Sequence, residues 1–249
     1  MGPPKVREDR TRPAFYAARP GRWRDWWTLL HPPYTAWHLS YVVVGACLAP
    51  VVTLSRLLAT LLAFFLAVGV AAHAYDELQD RPLGTGIPTW ALIAACALGL
   101  SGAVALGAVG VLEVGLVLVP FLVVGPLLVV AYNAELLGGV VHTDMGFALA
   151  WGAFPVLTAY VAQTAEISSG AVLAAAGATA LALAQRALST PARTLRRRTD
   201  AVSGTVVLAD GTERRLDRDC LLEPLERGLR MLSWAVVLLA AALAVFRLG

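Results

Sequence analysis

Charge is what this chain has least of. Of its 249 residues 15% are charged and 58% hydrophobic, with mean hydropathy +0.68. A soluble domain carries roughly 25% charged residues, so an ordinary water-soluble globule is excluded. Cysteine is also scarce. Cys47, Cys96 and Cys220 show no CxxC or Cys/His finger spacing. That excludes a disulfide scaffold and a structural zinc site. The apolar runs lack strict alternation, and at about 17–22 residues they have helix length rather than barrel-strand length. Lipid offers the backbone no hydrogen bonds, so helices are the spanning structure left.

What is present is a series of seven apolar stretches, at positions 36–52, 57–75, 89–110, 114–132, 145–163, 170–188 and 229–246. The expected fold class is therefore all-α, a multi-pass transmembrane helix bundle of about seven spans. A basic head covers 1–25, six spans fill 26–188, a cytoplasmic loop covers 189–228 and a last helix covers 229–249. The first span starts too late, behind too long a head, for a cleaved signal peptide.

Basic residues set the orientation. With the N-terminus in the cytoplasm, 18 of the 20 Lys and Arg residues fall on that side, and only Arg56 and Arg247 lie opposite. The positive-inside rule then predicts a cell-membrane protein with N-terminus in and C-terminus out. The net charge of +3 needs no nucleic acid to explain it. Anionic lipid headgroups are sufficient partners for these arginines.

Local patterns fill in the bundle. Trp23, Trp26, Trp27, Tyr34 and Trp37 crowd the approach to the first span, as an interfacial aromatic belt does. The segment bearing Trp26, Trp27, Leu29 and Leu30 is expected to lie on the membrane surface until His31-Pro32-Pro33 breaks it. Gly99, Gly102, Gly107, Ala174, Gly177 and Ala178 read as close helix packing. Thr205-Val206-Val207 followed by Asp210-Gly211 predicts a small β-hairpin, either linkage between spans or a flap over a site on that face.

The chemistry-bearing residues gather on the same predicted side. All four histidines, His31, His38, His73 and His142, fall there with Asp76, Glu77, Asp80, Glu135 and Asp144. Ionisable groups near membrane depth are costly and tend to mark function. His73, Asp76 and Asp80 are spaced i, i+3, i+7, which stacks them on one face of a helix. They would sit at a helix C-terminus, where negative charge is opposed by about 0.3–1 kcal/mol. A divalent cation would compensate, and so would Arg81 without any chemistry. Tyr132-Asn133 and His142-Thr143-Asp144 form a second group, in which Asp144 is a good N-cap for the helix that follows.

Over about residues 20–190 these features resemble the UbiA superfamily of membrane prenyltransferases. The likeness rests on the Trp- and Pro-bearing approach to the first span and on the acid-rich end of the second, followed by Arg81-Pro82-Leu83-Gly84. It rests also on Tyr132 closing the fourth span, and on Gly146-Phe147-Ala148 leading to Phe154-Pro155-Val156 and Tyr160 in the fifth. Members hold an isoprenyl diphosphate through Mg²⁺ between two acidic motifs. The first reads Asn-Asp-x-x-Asp-x-x-x-Asp, and its four positions here are Ala72, His73, Asp76 and Asp80. The second should fall at 185–193, which reads Gln-Arg-Ala-Leu-Ser-Thr-Pro-Ala-Arg with no acid. A lysine expected soon after Tyr132 is missing, and the family usually has nine spans.

The resemblance implies a prenyltransferase acting on an isoprenyl diphosphate in a lipid-side cleft. His73, Asp76 and Asp80 would bind Mg²⁺, with Mn²⁺ or another divalent metal an alternative given the histidine. Asp76, Asp80, His142 and Asp144 would be the catalytic group. Tyr132, Asn133, Arg186 and Arg193 would bind substrate, the arginines gripping phosphate bidentately. On this reading Asp76→Asn abolishes turnover. Two alternatives stand beside it: a relative without transfer activity that binds a prenyl lipid or a membrane partner, and a terpene cyclase or diphosphate hydrolase.

Overall fold

The computed structural model describes residues 13–134 and 142–249. Expectations about residues 1–12 and Glu135 lie outside the described residues. Among those described there are eight helices and one hairpin. We name the helices α1 Arg22–Leu29, α2 Pro32–Cys47, α3 Leu54–Leu78, α4 Thr89–Val114, α5 Leu116–Asn133, α6 Asp144–Thr164, α7 Ser169–Arg197 and α8 Arg218–Leu248. The strands are β1 Gly204–Val207 and β2 Glu213–Leu216.

Six of the helices, α3 to α8, are long and apolar enough to cross a membrane. The seven expected spans therefore become six such helices and one shorter rod, α2. At about 1.5 Å per residue its 16 residues reach roughly 24 Å, less than the bilayer core. Its composition explains its place. Trp37, Tyr41, Val42, Gly45 and Ala46 are buried, and α2 packs chiefly on α6 and α8 at the centre of the bundle. Gly45 permits that closeness, since a Cβ there would lie 2.2 Å from the Val156 carbonyl oxygen. By contrast α4 and α5 turn large residues such as Leu98, Leu112, Val123 and Leu127 outward, as lipid-facing helices do.

Two spans carry π-helical segments, Phe65–Ala72 in α3 and Leu149–Ala153 in α6. Such wide turns occur mostly as inserts at functional sites. Each is seated through a close approach to a neighbour. A Cβ on Gly99 would meet the Leu66 carbonyl oxygen at 2.7 Å, and one on Gly152 would meet that of Ala178 at 2.7 Å. Gly177, read from sequence as a packing glycine, instead has open space beside it.

Helix ends follow side-chain chemistry. Ser168 and Asp217 cap α7 and α8 by accepting from the N–H groups of Ala171 and Cys220. At α6 the cap is Thr143, whose hydroxyl accepts from Gly146 N–H, so the capping role expected of Asp144 belongs to its neighbour. At the end of the bundle away from the arginine-rich segments, Arg56 donates to the carbonyls of Ala162 and Gln163, and Arg247 to those of Ala49 and Pro50. The two exceptions to the charge rule thus bind carbonyls at the end of α6 and in the turn after α2.

The hairpin forms as expected, with Gly204 opposite Leu216 and Val207 opposite Glu213, and a turn in which Gly211 takes φ +83°. The hydroxyl and N–H of Thr212 bond the Asp210 carboxylate and hold it below the usual carboxylate range. Its strands are exposed on both faces. The expected loop over 189–228 shrinks to 198–217, because α7 runs through Pro191 to Arg197 and α8 begins at Arg218. A buried ion pair explains the extension: Arg196 and Glu226 join the last turns of α7 to the first turns of α8.

Helix α1 departs from its expected surface placement at Leu29, which packs into the protein instead. Trp23 and Trp27 are exposed while Leu29 is buried against Ala74, Leu83, Ile87 and Leu92. The Asp25 carboxylate accepts from Gly21 N–H and, across the fold, from Gly86 N–H, which ties this helix to the loop after α3.

Candidate functional site

At the arginine-rich end of the bundle a cavity of about 400 Å³ opens between α2, α3, α5, α6 and α7. Every histidine of the chain lines it. His31 precedes α2 in a left-handed conformation, φ 45°, and its ring stacks on His73 at 4.3 Å. His38 donates from Nδ1 to Trp151 O at 3.0 Å, and His73 from Nδ1 to Gly69 O at 3.1 Å. Both carbonyls belong to the π-helical segments, so these two histidines satisfy the oxygens that the widened turns release. A carbonyl only accepts, so each Nδ1 carries the proton and each Nε2 is an acceptor. His142 stacks on Tyr132 at 4.5 Å and bonds its carbonyl from Nδ1 at 3.1 Å.

The acids divide sharply. Asp76 lines the cavity, and the guanidinium groups of Arg197 and Arg193 are the strongest charges acting on it. Asp80 does not line it. Helix α3 ends at Leu78, and Asp80 and Arg81 then take left-handed conformations, φ 57° and 51°. The expected stack of His73, Asp76 and Asp80 therefore stops after its second member. Glu77 is fully buried and accepts from Leu83 N–H at 2.9 Å and from the Thr85 N–H and hydroxyl at 2.8 Å each. Arg81, expected as a counter-charge, instead wraps the same loop by donating to Thr85 O, Ile87 O and Thr89 Oγ1. The turn out of the second long span is thus knitted from within, and its geometry turns Asp80 away.

The second predicted group is brought together, but with different pairings. Arg186 donates from Nε to Asp144 at 2.7 Å and from Nη1 to the Tyr132 hydroxyl at 2.9 Å, and lies over the Phe147 ring at 5.0 Å. The Asp144 side chain is 69% exposed at the rim, and Arg186 is committed on three sides. Asn133 donates back to Val129 O of its own helix. Arg193 and Arg197 line the cavity with weaker ties, Arg193 to the Thr190 hydroxyl at 3.4 Å and Arg197 to the Pro13 carbonyl at 3.0 Å.

Sequence reading missed three parts of this site. The first is the strap 13–16, which lines the cavity and sets Tyr16 against His31. Burial pushes the Tyr16 phenol well up, so it keeps its proton, and its hydroxyl shares a hydrogen bond with His31 Nδ1. The second is Gln185, 3% exposed, whose Oε1 has no partner; His31 Nε2 is likewise buried without one. The third is the Arg196–Glu226 pair. The one signal that reached this far was the clustering of all histidines on one predicted side.

The resemblance implies Mg²⁺, which is held through one or two carboxylates plus substrate phosphate. The donor set fits poorly. Glu77, Asp144 and Glu226 are committed, Asp80 points elsewhere, and among the described residues no group of three His, Cys, Asp or Glu side chains gathers at ligating distance. An apolar groove between α3, α4 and α5, lined by Tyr75, Leu78, Cys96, Leu100, Val104 and Pro126, shares no lining residue with the cavity. Compared with known proteins, the chain matches no family model, no curated protein and no solved structure.

Proposed function

We propose that the cavity takes the anionic head of an isoprenyl diphosphate and that the protein acts on this lipid in the manner of the prenyltransferases its sequence resembles. The observation carrying the reading is the meeting of Asp76 from α3, Tyr132 from α5 and Arg193 and Arg197 from α7 in one cavity that Val68, Ala72, Phe147 and Trp151 also line. A lipid with a charged head and an unsaturated chain matches that mixture. Guanidinium forks grip phosphate oxygens. Aromatic faces stabilise an allylic cation by about 0.5–2 kcal/mol each.

In transfer, the bond between the first prenyl carbon and its diphosphate oxygen breaks and the electron pair leaves with diphosphate. The acceptor's nucleophile bonds that carbon and loses a proton. Nε2 of His73 or His38, or the Asp76 carboxylate, is set to take it. Asp144, bound to Arg186, positions rather than reacts. No step here runs through a metal ion. The charge asymmetry supports an arginine-rich end in the cytoplasm and the C-terminus across the cell membrane.

A second reading, binding without transfer, is favoured by the locked Arg186–Asp144 pair, which leaves fewer free groups for chemistry. Purified protein in nanodiscs, given farnesyl or geranylgeranyl diphosphate with and without an aromatic acceptor, separates them. Diphosphate release with an acceptor adduct supports transfer. Release without an adduct indicates cyclisation or hydrolysis. Saturable binding without release supports the second reading, and no binding contradicts both.

A further inference from the structure

We infer that this cavity holds its diphosphate ligand directly, through arginine N–H groups, without requiring a divalent cation. The inference rests on the isoprenyl diphosphate reading above for the ligand's class, but its own content is the source of the positive charge.

The sign of the lining carries the argument. Arg186, Arg193, Arg196, Arg197 and Arg198 line the cavity against the acids Asp76 and Glu226, an excess of three positive charges. Asp144 offsets one of these from the rim through Arg186. A site that recruits a dication before its substrate needs the opposite sign, an acidic excess whose oxygens point inward. Here Glu77, Asp144 and Glu226 are bound to backbone N–H groups or to guanidinium, which leaves Asp76 as a single carboxylate facing the arginines in the cavity. Where the resemblance calls for a second acidic motif, α7 supplies Arg186 and Arg193, with Arg197 one turn further on.

A second, independent observation points to a ligand. His31 shares a hydrogen bond between Nδ1 and the Tyr16 hydroxyl, and its Nε2 is buried without a partner on a ring that lines the cavity. Gln185 Oε1, an acceptor, is also buried without a partner on a residue of that lining. A diphosphate whose oxygens reach Arg193 and Arg197 would answer both weakly tied guanidiniums. Arg197 would exchange a neutral carbonyl, Pro13 O, for a charged oxygen.

Isothermal titration of the full chain tests this. The protein is placed in nanodiscs of zwitterionic lipid, so that anionic headgroups do not compete. The probes are inorganic diphosphate and a non-ionising farnesyl thiodiphosphate, each in excess EDTA and in excess Mg²⁺. We expect the thiodiphosphate to bind in EDTA with affinity within about threefold of that in Mg²⁺. Arg193→Gln and Arg197→Gln should each weaken it by about tenfold or more. Asp76→Asn should bind at least as well in EDTA. Arg193→Lys keeps the charge, loses the fork and should fall between, which guards against a variant that merely misfolds. Binding that appears only with Mg²⁺ and vanishes in Asp76→Asn overturns the inference and leaves the isoprenoid reading standing. Metal-free binding of inorganic diphosphate with no gain from the farnesyl chain supports the inference and overturns the isoprenoid reading. No binding of either probe, with or without Mg²⁺, overturns both.

Discussion

Glu77 stands one residue from Asp76 and does the opposite work. Its carboxylate is buried and accepts three hydrogen bonds from Leu83 and Thr85. Glu77→Ala would leave two buried N–H groups unmatched and should lower stability by roughly 2–4 kcal/mol, read as a fall in unfolding temperature in detergent. An unchanged unfolding temperature would mean that the loop is held by Arg81 alone. His31 gives a pH prediction. Burial holds its imidazole well below the usual 6.5, with the charges of His73, Arg197 and Arg193 adding to the effect. Tyr16 and Tyr34 are the other titratable rings packed against it. The unfolded chain therefore binds a proton near pH 6.5 that the folded chain resists, so His31 costs nothing at neutral pH and destabilises the fold as pH drops. Unfolding temperature should decline from about pH 7 to about pH 5, and His31→Gln should flatten part of that decline. A variant as acid-sensitive as the parent would remove His31 from this account.

At the scale of elements, the bundle depends on a few places where backbone touches backbone. A methyl group on Gly45 would fall 2.2 Å from the Val156 carbonyl, and one on Gly152 2.7 Å from that of Ala178. Gly45→Ala and Gly152→Ala should each cost on the order of 1–3 kcal/mol or more, whereas Gly177→Ala, with open space and a helical backbone, should stabilise α7 by about 0.5–1 kcal/mol. Thermal unfolding of the three variants side by side is the check, and equal effects would contradict the packing described. The hairpin supplies the complementary case. Its strands are exposed, and none of its residues lines the cavity. Replacing 201–216 by a short flexible linker should leave diphosphate binding unchanged in the same titration; a loss would restore the idea of a flap. The hairpin itself was legible because an Asp-Gly between β-branched runs is a local signal. The spans were legible for the same reason, since lipid compatibility is written residue by residue. The last turns of α7 were not. They run on past Pro191 to Arg196, which meets the distant Glu226 across the fold, a contact that no local pattern announces.

The whole molecule sorts its charges by end. Arg186, Arg193, Arg196, Arg197 and Arg198 line the cavity, and Arg56 and Arg247 bind carbonyls at the other end. Composition made a bundle of long apolar helices readable in advance, and charge the end of it at which the arginines of α7 gather. The site was only half readable. Asp76, Tyr132, His142, Arg186 and Arg193 do converge, because each lies at the same end of its own helix. Asp80 does not, because a helical period was extended past the residue where the chain turns left-handed. The strap 13–16 and the partners of Arg186 depend on contacts between segments far apart in sequence, which periodicity cannot see.

The measurement that bears most directly on the central claim is a structure of the protein in a nanodisc with a non-ionising farnesyl thiodiphosphate. The account predicts the diphosphate within hydrogen-bond reach of Arg193 and Arg197, with the prenyl chain against Phe147 and Trp151. A head bound elsewhere, or a cavity still filled by the strap and empty of ligand at saturating concentration, would contradict it.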